Sequence, residues 1–296
     1  MDTQNLKAFV LVAETGSFSA AAEKLHLTQP AVSKRVALLE QQLGRDLFDR
    51  IGRNVSLTEA GNALLPHART ISLQLLAAEQ AVLDLSGDVT GALRLATSHH
   101  IGLHRLPPVL NEFSRKFPGV KIDIEFMDSE QAYELITQGK VELAVVTLAP
   151  NSETNVIAEP VWRDPLDFMV SANHELATRK NCDLKFLSQC PAILPGLNTY
   201  TGQIVKRLFD THNLQLQVSM ATNYLETVRM MTSVGLGWTV LPRSMIDGSL
   251  TAIDVAGDTI ERTLGLVFHR GRSLSRAALA FNETLRNFAD EPQAHS

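Results

Sequence analysis

Apolar residues recur at spacings of three and four from Leu6 to about Leu85, and beyond Ala92 they gather instead into short strand-like runs. The first texture is helical; the second alternates sheet with helix. Leu6, Phe9, Val10, Val12 and Ala13 give an opening helix one face to bury. From Ser17 to Gly44, SFSAAAEKLHLTQPAVSKRVALLEQQLG reads as two short helices with a tight joint. Ser19 is placed to cap the first, and Ala20 to Leu25 are good helix formers. Thr28 is placed to cap the second, with Pro30 in its first turn, where a missing N–H costs nothing. Ala31, Val32, Val36, Leu39 and Leu43 supply the apolar face of that helix and leave Gln29, Ser33, Lys34 and Arg35 near its exposed N-terminal end. Leu47 to Arg50 and Asn54 to Leu57 look like two short strands around the turn Ile51-Gly52-Arg53.

Thr58 then opens a helix that the pattern carries to about Leu85. Leu64, Ile71, Ala78 and Leu85 lie seven apart, interleaved with Ala68, Leu75 and Val82, also seven apart. Such an a/d seam over three heptads predicts a dimerisation helix, against the plainer reading of one amphipathic helix on its own domain. At about 28 residues it would be roughly 42 Å long, too long for a local packing element. Pro66 removes one backbone hydrogen bond and allows a bend near Asn62.

Ser86-Gly87-Asp88-Val89-Thr90-Gly91 breaks the helix as a hinge. Strand-like runs follow at ALRLAT, VKIDIEF, ELAVVTL, LDFMVSA, PAIL, LQLQVSM, GWTVLP and LGLVFHR, with helix candidates at 103–117, 129–138, 200–212, 224–234 and 274–289. The alternation predicts α/β architecture with substantially parallel sheet. A textural midpoint near Glu159–Trp162 suggests two lobes, the closing helix returning to the first. The fold class is therefore α+β multidomain: a small helical domain with a strand pair over 1–57, a linker helix over 58–87 and a two-lobed α/β domain over 88–296. Lobe I takes about 91–161 and 266–296, lobe II about 162–265, and 290–296 reads as a frayed tail.

Composition narrows the classes. The net charge of −5 argues against a protein that coats nucleic acid indiscriminately. Between Lys24 and Arg53, however, six Lys/Arg face three Asp/Glu, a local +3. No apolar run approaches the ~18 residues that span a bilayer. Met1-Asp2-Thr3-Gln4-Asn5 lacks the character of a secretory leader, so the expectation is cytoplasmic, with no membrane partner. Two cysteines make no disulfide framework.

The polar tip of the second helix has the chemistry of a DNA reader. Gln bonds both exposed edges of adenine, Ser bonds either partner, and Lys favours guanine or phosphate. A plain helical hairpin with a solvated face would show the same two helices; the basic-tipped strand pair after it decides for DNA. There Arg50 or Arg53 can lie against phosphate or enter a minor groove. Residues 1–61, with FVLVAETGSFSAAAEKLHLTQPAVSKRVALLEQQLGRDLFDR and LTEAG, closely resemble the winged helix-turn-helix of LysR-type transcriptional regulators. The GLGWTVLP and HRGRSLSRAALAF segments resemble the effector-binding region of the same family, a two-lobed periplasmic-binding-protein-like fold. The resemblance implies linker helices paired antiparallel and DNA bound as a homodimer or homotetramer. Gln29, Pro30, Ser33 and Lys34 would face the major groove, Thr28 and Arg35 would anchor phosphates, and Arg50 and Arg53 would work from the wing. An effector would alter the spacing of the reading heads, DNA bending and contact with RNA polymerase.

Ligands of open α/β sheets sit beyond the carboxyl ends of strands, where helix N-termini present free N–H groups. That rule selects Ser98, His99 and His100 after ALRLAT, Asp128 after VKIDIEF and Thr147 after ELAVV. It also selects Tyr200, Thr201 and Gly202 after PAIL, and Asn223 after LQLQVSM. Each residue alone is equally a helix cap; as a converging set they suit a small polar effector. Hydroxyls and imidazoles without an acidic cluster favour an anion. The resemblance strengthens Ser98, His100, Thr147, Thr201 and Gly202.

Other chemistry is weaker. His99, His100 and His104 lack a nearby Cys or the glutamate of HExxH, so no metal and no cofactor is expected. There is no GxSxG and no carboxylate couple, so no catalytic residue is assigned and an enzyme is the distant alternative. Peroxide-sensing relatives use a cysteine pair, which makes redox control through Cys182 and Cys190 a second alternative. Here, though, the turn after PAIL carries no thiol.

Gln29→Ala is expected to relax preference at one base pair at a cost of about 1–3 kcal/mol. Arg53→Ala is expected instead to weaken all sites and flatten the salt dependence. Binding titrations on matched and single-substituted operators separate the two; equal, sequence-blind losses would refute the division of roles.

Overall fold

The computed structural model describes residues 1–51, 54–83, 89–179, 182–255 and 260–290. Contacts divide the chain into two units, Met1–Gly87 with Gly271–Ser275, and Asp88–Arg270 with Arg276–Ser296.

In the first unit, α1 (Thr3–Thr15), α2 (Phe18–Leu25) and α3 (Gln29–Leu43) pack around Phe9, Val12, Val32, Val36 and Leu39, all fully buried. Phe48 closes the core, its ring 5.3 Å from Phe9 and 5.8 Å from Phe18. Ser17, not Ser19, caps α2: its hydroxyl accepts from Ala20 N–H, and Ser19 lies inside the helix. His26 makes the tight joint in a left-handed conformation (φ 54°), so that its N–H and that of Leu27 return to the last carbonyls of α2. Strands β1 (Phe48–Ile51) and β2 (Asn54–Leu57) pair antiparallel from Phe48↔Leu57 to Ile51↔Asn54. Gly52 and Arg53, between them, lie outside the described residues.

Thr58 caps α4 (Glu59–Leu83), accepting from Gly61 N–H at 3.0 Å. The helix runs on through Pro66. Its seam divides along its length. Ala68 is buried and Leu64 and Ile71 pack on the head's core, whereas Leu75, Ala78 and Val82 are exposed. Leu85 and residues 86–88 of the expected hinge lie outside the described residues.

The second unit is built on one sheet in the order β10-β6-β11-β5-β3-β4, with β9 also on β6. Strands β3 (Gly91–Thr97), β4 (Val120–Phe126) and β5 (Leu143–Thr147) run parallel, as do β7 (Ala192–Leu194) and β8 (Val218–Ala221). The long strands β6 (Val156–Ser171) and β11 (Ile260–His269) run antiparallel to each other, as do the pairings with β9 (Thr239–Pro242) and β10 (Leu250–Ala252). The sheet is thus less parallel than its texture suggests. Strand β6 also begins ten residues before the LDFMVSA run, because Pro160 and Pro165 interrupt an apolar pattern that the pairing with β11 nevertheless continues. LQLQVSM pairs only from Val218; Leu214 and Leu216 pack sideways on the core.

Both crossover strands serve two cores. Tyr133, Ile136, Ala144 and Val146 fill one lobe, and Phe168, Phe209 and Trp238 the other. Trp238 stacks on Phe209 at 5.6 Å, and its indole N–H donates to Leu187 O at 3.0 Å. Between the lobes the β6–β11 register slips by one residue at Leu264/Gly265, leaving Val161 unpaired. Helices α5 (His99–His104), α6 (Leu106–Lys116), α7 (Ser129–Thr137) and α11 (Arg276–Arg286) belong with the first lobe, and α8 (Leu184–Leu187), α9 (Tyr200–Thr211) and α10 (Leu225–Ser233) with the second. No helix among the described residues is long and apolar enough to cross a membrane.

Candidate functional site

Four strand–helix junctions meet in one cleft, because β3, β4, β7 and β8 each end where a helix begins. The N-terminal turns of α5, α7, α9 and α10 line it with Ser98, His99, His100, Asp128, Ser129, Glu130, Thr199, Tyr200, Thr201, Asn223 and Leu225. Thr147, Pro195 and Arg262 complete the wall, and the cavity is about 50 Å³. Helix N-termini carry partial positive charge and unpaired N–H groups, so their convergence favours an anion.

The sequence-selected residues Ser98, His99, His100, Asp128, Thr147, Tyr200, Thr201 and Asn223 all line this cleft. Gly202 does not. It is buried one position deeper, where a Cβ would stand 2.2 Å from Gly196 O, so glycine lets the turn close on α9. Thr199 finishes that closure: its hydroxyl donates to Gly196 O at 2.7 Å and accepts from Gly202 N–H at 3.1 Å.

Arg262 went unselected and is the one guanidinium among the cleft's lining residues, which also include the carboxylates of Asp128 and Glu130. It is 6% exposed; its Nε donates to Asp164 Oδ2 at 2.8 Å and its Nη1 to Thr201 Oγ1 at 3.0 Å. Its Nη2 is buried without an acceptor among the described residues. Asp164, 1% exposed, also accepts from Arg105 Nη2 at 3.2 Å. Two guanidiniums on one carboxylate leave a positive excess, with one strong donor unspent. Burial pushes the Arg262 pKa down, with the Asp164 carboxylate opposing the fall.

His100, 6% exposed, has neither ring nitrogen partnered among the described residues. Burial first, then the Arg262 charge, lower its pKa to about 3, so the ring is neutral and offers one N–H and one lone pair.

Three contacts tie the lobes across the cleft. The Glu130 carboxylate accepts the Tyr200 N–H at the start of α9, and burial raises its pKa. Asn223 Nδ2 donates to Asp128 Oδ2 at 2.6 Å while Gly196 N–H donates to Asn223 Oδ1 at 3.0 Å. His104 Nε2 meets Glu226 Oε1 at 2.8 Å. With His100, these last two form a group whose donor atoms lie within 4.8 Å of one another. His104 and Glu226 already satisfy each other, and Arg229 also holds the Glu226 carboxylate at 3.0 Å.

In the head, Thr28, Gln29, Pro30 and Lys34 are exposed at the start of α3, with Ser33 and Arg35 half-buried. The Thr28 hydroxyl makes no cap bond, and Gln29 Nε2 donates to Ser33 Oγ at 2.9 Å, an i,i+4 pair that holds the amide ready. Arg35 Nη1 donates to Gln4 Oε1 at 3.2 Å. The side chain of Arg50, like the whole of Arg53, lies outside the described residues. Cys182 is buried and Cys190 half-buried against the second lobe's core; burial pushes both thiols up, against the pull of Arg179, so neither has thiolate character.

A winged helix-turn-helix joined to a two-lobed cleft defines a DNA-binding protein with a small-molecule receptor. Residues 3–62 match the profile of the bacterial regulatory helix-turn-helix protein, lysR family, and residues 86–290 that of the LysR substrate binding domain. The chain is 30% identical to the transcriptional activator CmpR of Synechocystis over 94% of its length and 93% of that protein. It is 32% identical to a RuBisCO operon transcriptional regulator of Acidithiobacillus ferrooxidans over 95% and 92%. Full-length OxyR from Pseudomonas aeruginosa shares the fold, with a TM-score of 0.73 at 22% identity over 99% of each chain. The chain belongs to the LysR family of DNA-binding transcriptional regulators, with an effector-binding C-terminal domain.

The unfolded chain takes up the His100 proton near pH 6.5, the folded chain only near 3. Stability is therefore fully present above pH 6.5 and falls as pH drops through that window, by roughly 1.4 kcal/mol per unit. Urea unfolding at pH 7 and pH 5 is expected to show a His100→Gln variant losing about 2 kcal/mol less than wild type. Equal losses would contradict a buried neutral imidazole.

Proposed function

We propose that this regulator is controlled by a small anion bound between the lobes of its C-terminal domain. The observation that carries the reading is Arg262: a guanidinium buried in the cleft wall, one donor unspent, where four helix N-termini converge. The anion would accept from Arg262 Nη2, His100 and the Thr201 hydroxyl at the start of α9, with Ser98 and Thr147 beside it. Glu130 holds the α9 amide in the meantime, as a carboxylate of the chain's own.

In the same reading residues 1–57 bind operator DNA, 58–87 couple two copies, and 88–296 sense the effector in the cytoplasm. Thr28, Gln29, Pro30, Ser33, Lys34 and Arg35 meet the duplex from α3, with Arg50 and Arg53 on the wing. The exposed half of the α4 seam, Leu75, Ala78 and Val82, suits a second copy of the chain, as homodimer or homotetramer. An anion that prefers one lobe arrangement over another by about 1–3 kcal/mol would shift head spacing, DNA bending and contact with RNA polymerase.

A thermal-shift panel on the full chain tests the ligand class. Sulfate, phosphate, acetate and malonate are expected to raise the melting temperature where matched cations and neutral sugars do not, and an anion that does so is expected to change the operator footprint. Stabilisation by cations or sugars alone would overturn the reading.

A further inference from the structure

Beside the polar cleft lies a second recess whose chemistry is the reverse. Gly102, Leu103, Phe126, Tyr224 and Leu225 wall a cavity of about 310 Å³. His99, His100 and Leu225 line both, so the two spaces lie side by side and share these three side chains as their common wall. Leu103, Phe126 and Tyr224 are each at least half exposed around this one recess, at 57%, 50% and 54%. The His99 ring stands between Phe126 at 5.4 Å and Tyr224 at 4.8 Å, an aromatic row that crosses from one lobe to the other. Gly102 permits it, because a Cβ there would meet Phe126 Cε1 at 2.4 Å. The carboxylate among the recess's lining residues, Glu226, is already hydrogen-bonded to His104 and paired with Arg229.

We propose that the effector is amphipathic: an oxyanion head, most simply a carboxylate, held by Arg262 and the helix N-termini, carrying a short branched-alkyl or single-ring group that fills the recess between Phe126 and Tyr224. This rests on the anion reading of the cleft and narrows it. The cleft's 50 Å³ holds a head group and little more, whereas the recess exceeds the ~150 Å³ in which an apolar protein cavity accommodates benzene. An apolar group there touches Phe126 and Leu103 of one lobe and Tyr224 of the other, so it adds most to the arrangement in which both walls are in place. Each methylene moved out of water tightens binding roughly fourfold.

The test is a matched series on the full-length protein, followed by calorimetry: sulfate, acetate, butyrate, 3-methylbutanoate and benzoate, with 3-methylbutanamide and benzamide as uncharged counterparts. Affinity is expected to climb by tens of fold from acetate to 3-methylbutanoate or benzoate, and the amides to bind at least tenfold more weakly than their acids. Leu103→Ser and Phe126→Ser, both at exposed positions, are expected to erase the gain from the tail while leaving sulfate and acetate unchanged. If sulfate and acetate bind as tightly as the longer acids, the tail proposal is overturned and the anion cleft stands; if no anion binds, the cleft reading itself fails. Amides equal to acids would overturn the joint head-and-tail arrangement. So would serine variants that change only the oligomeric state, since the recess would then be covered by a second copy of the chain.

Discussion

The receptor half of this molecule depends on a charge taken out of water and not fully repaid. Arg262 sits opposite Asp164 in the β-ladder itself, the two being register partners on β11 and β6, and their side chains meet at 2.8 Å. Desolvating an ion pair costs several kcal/mol per ion, and only excellent geometry with further hydrogen bonds recovers it. Asp164 is served twice over, by Arg262 and by Arg105. Arg262 has Asp164 and Thr201 and lacks one acceptor. In the proposed reading a ligand oxygen supplies that partner, and a charge-assisted bond made there is among the stronger ones a protein can offer.

The position of that pair links binding to shape. Arg262 lies two residues from the slip in register at Leu264/Gly265, where the crossover strands pass from one lobe to the other. In the proposed reading a ligand drawing on Arg262 would act on the two strands that run through both lobes, with Thr201 and Glu130 on opposite lips. The Glu130–Tyr200, Asp128–Asn223 and His104–Glu226 contacts set the arrangement against which any effector competes or which it reinforces. Coupling needs only unequal affinity for two arrangements, and in the proposed reading these polar ties would be where the inequality arises.

What could be read from the sequence followed from how local each signal is. The two short helices of the head, the heptad seam and the helix starts at Asp128 and Thr199 are set by neighbours within one or two turns, although local signals alone do not separate Ser19 from the true cap, Ser17. Strand-end reasoning gathered eight cleft residues for the same reason. Arg262 was illegible because it lies within a strand, where one charge among Thr263, Leu264 and Leu266 gives no hint that its partner is Asp164, 98 residues earlier. Glu130 lies in the first turn of α7, and only the fold shows that its carboxylate accepts from the start of a different helix. Strand β6 was shortened by Pro160 and Pro165, which the sheet tolerates at the slip and beside it. Gly202 was chosen for the right turn and the wrong reason, since it permits backbone approach rather than contact with a ligand.

The most direct measurement is sulfate affinity by calorimetry in a variant carrying Arg262→Met with Asp164→Asn, which removes both buried charges together and leaves no carboxylate stranded. With folding verified by circular dichroism, the loss of the charge-assisted donor should weaken binding roughly 10- to 100-fold. A folded double variant that binds sulfate as tightly as wild type would contradict the account at its centre.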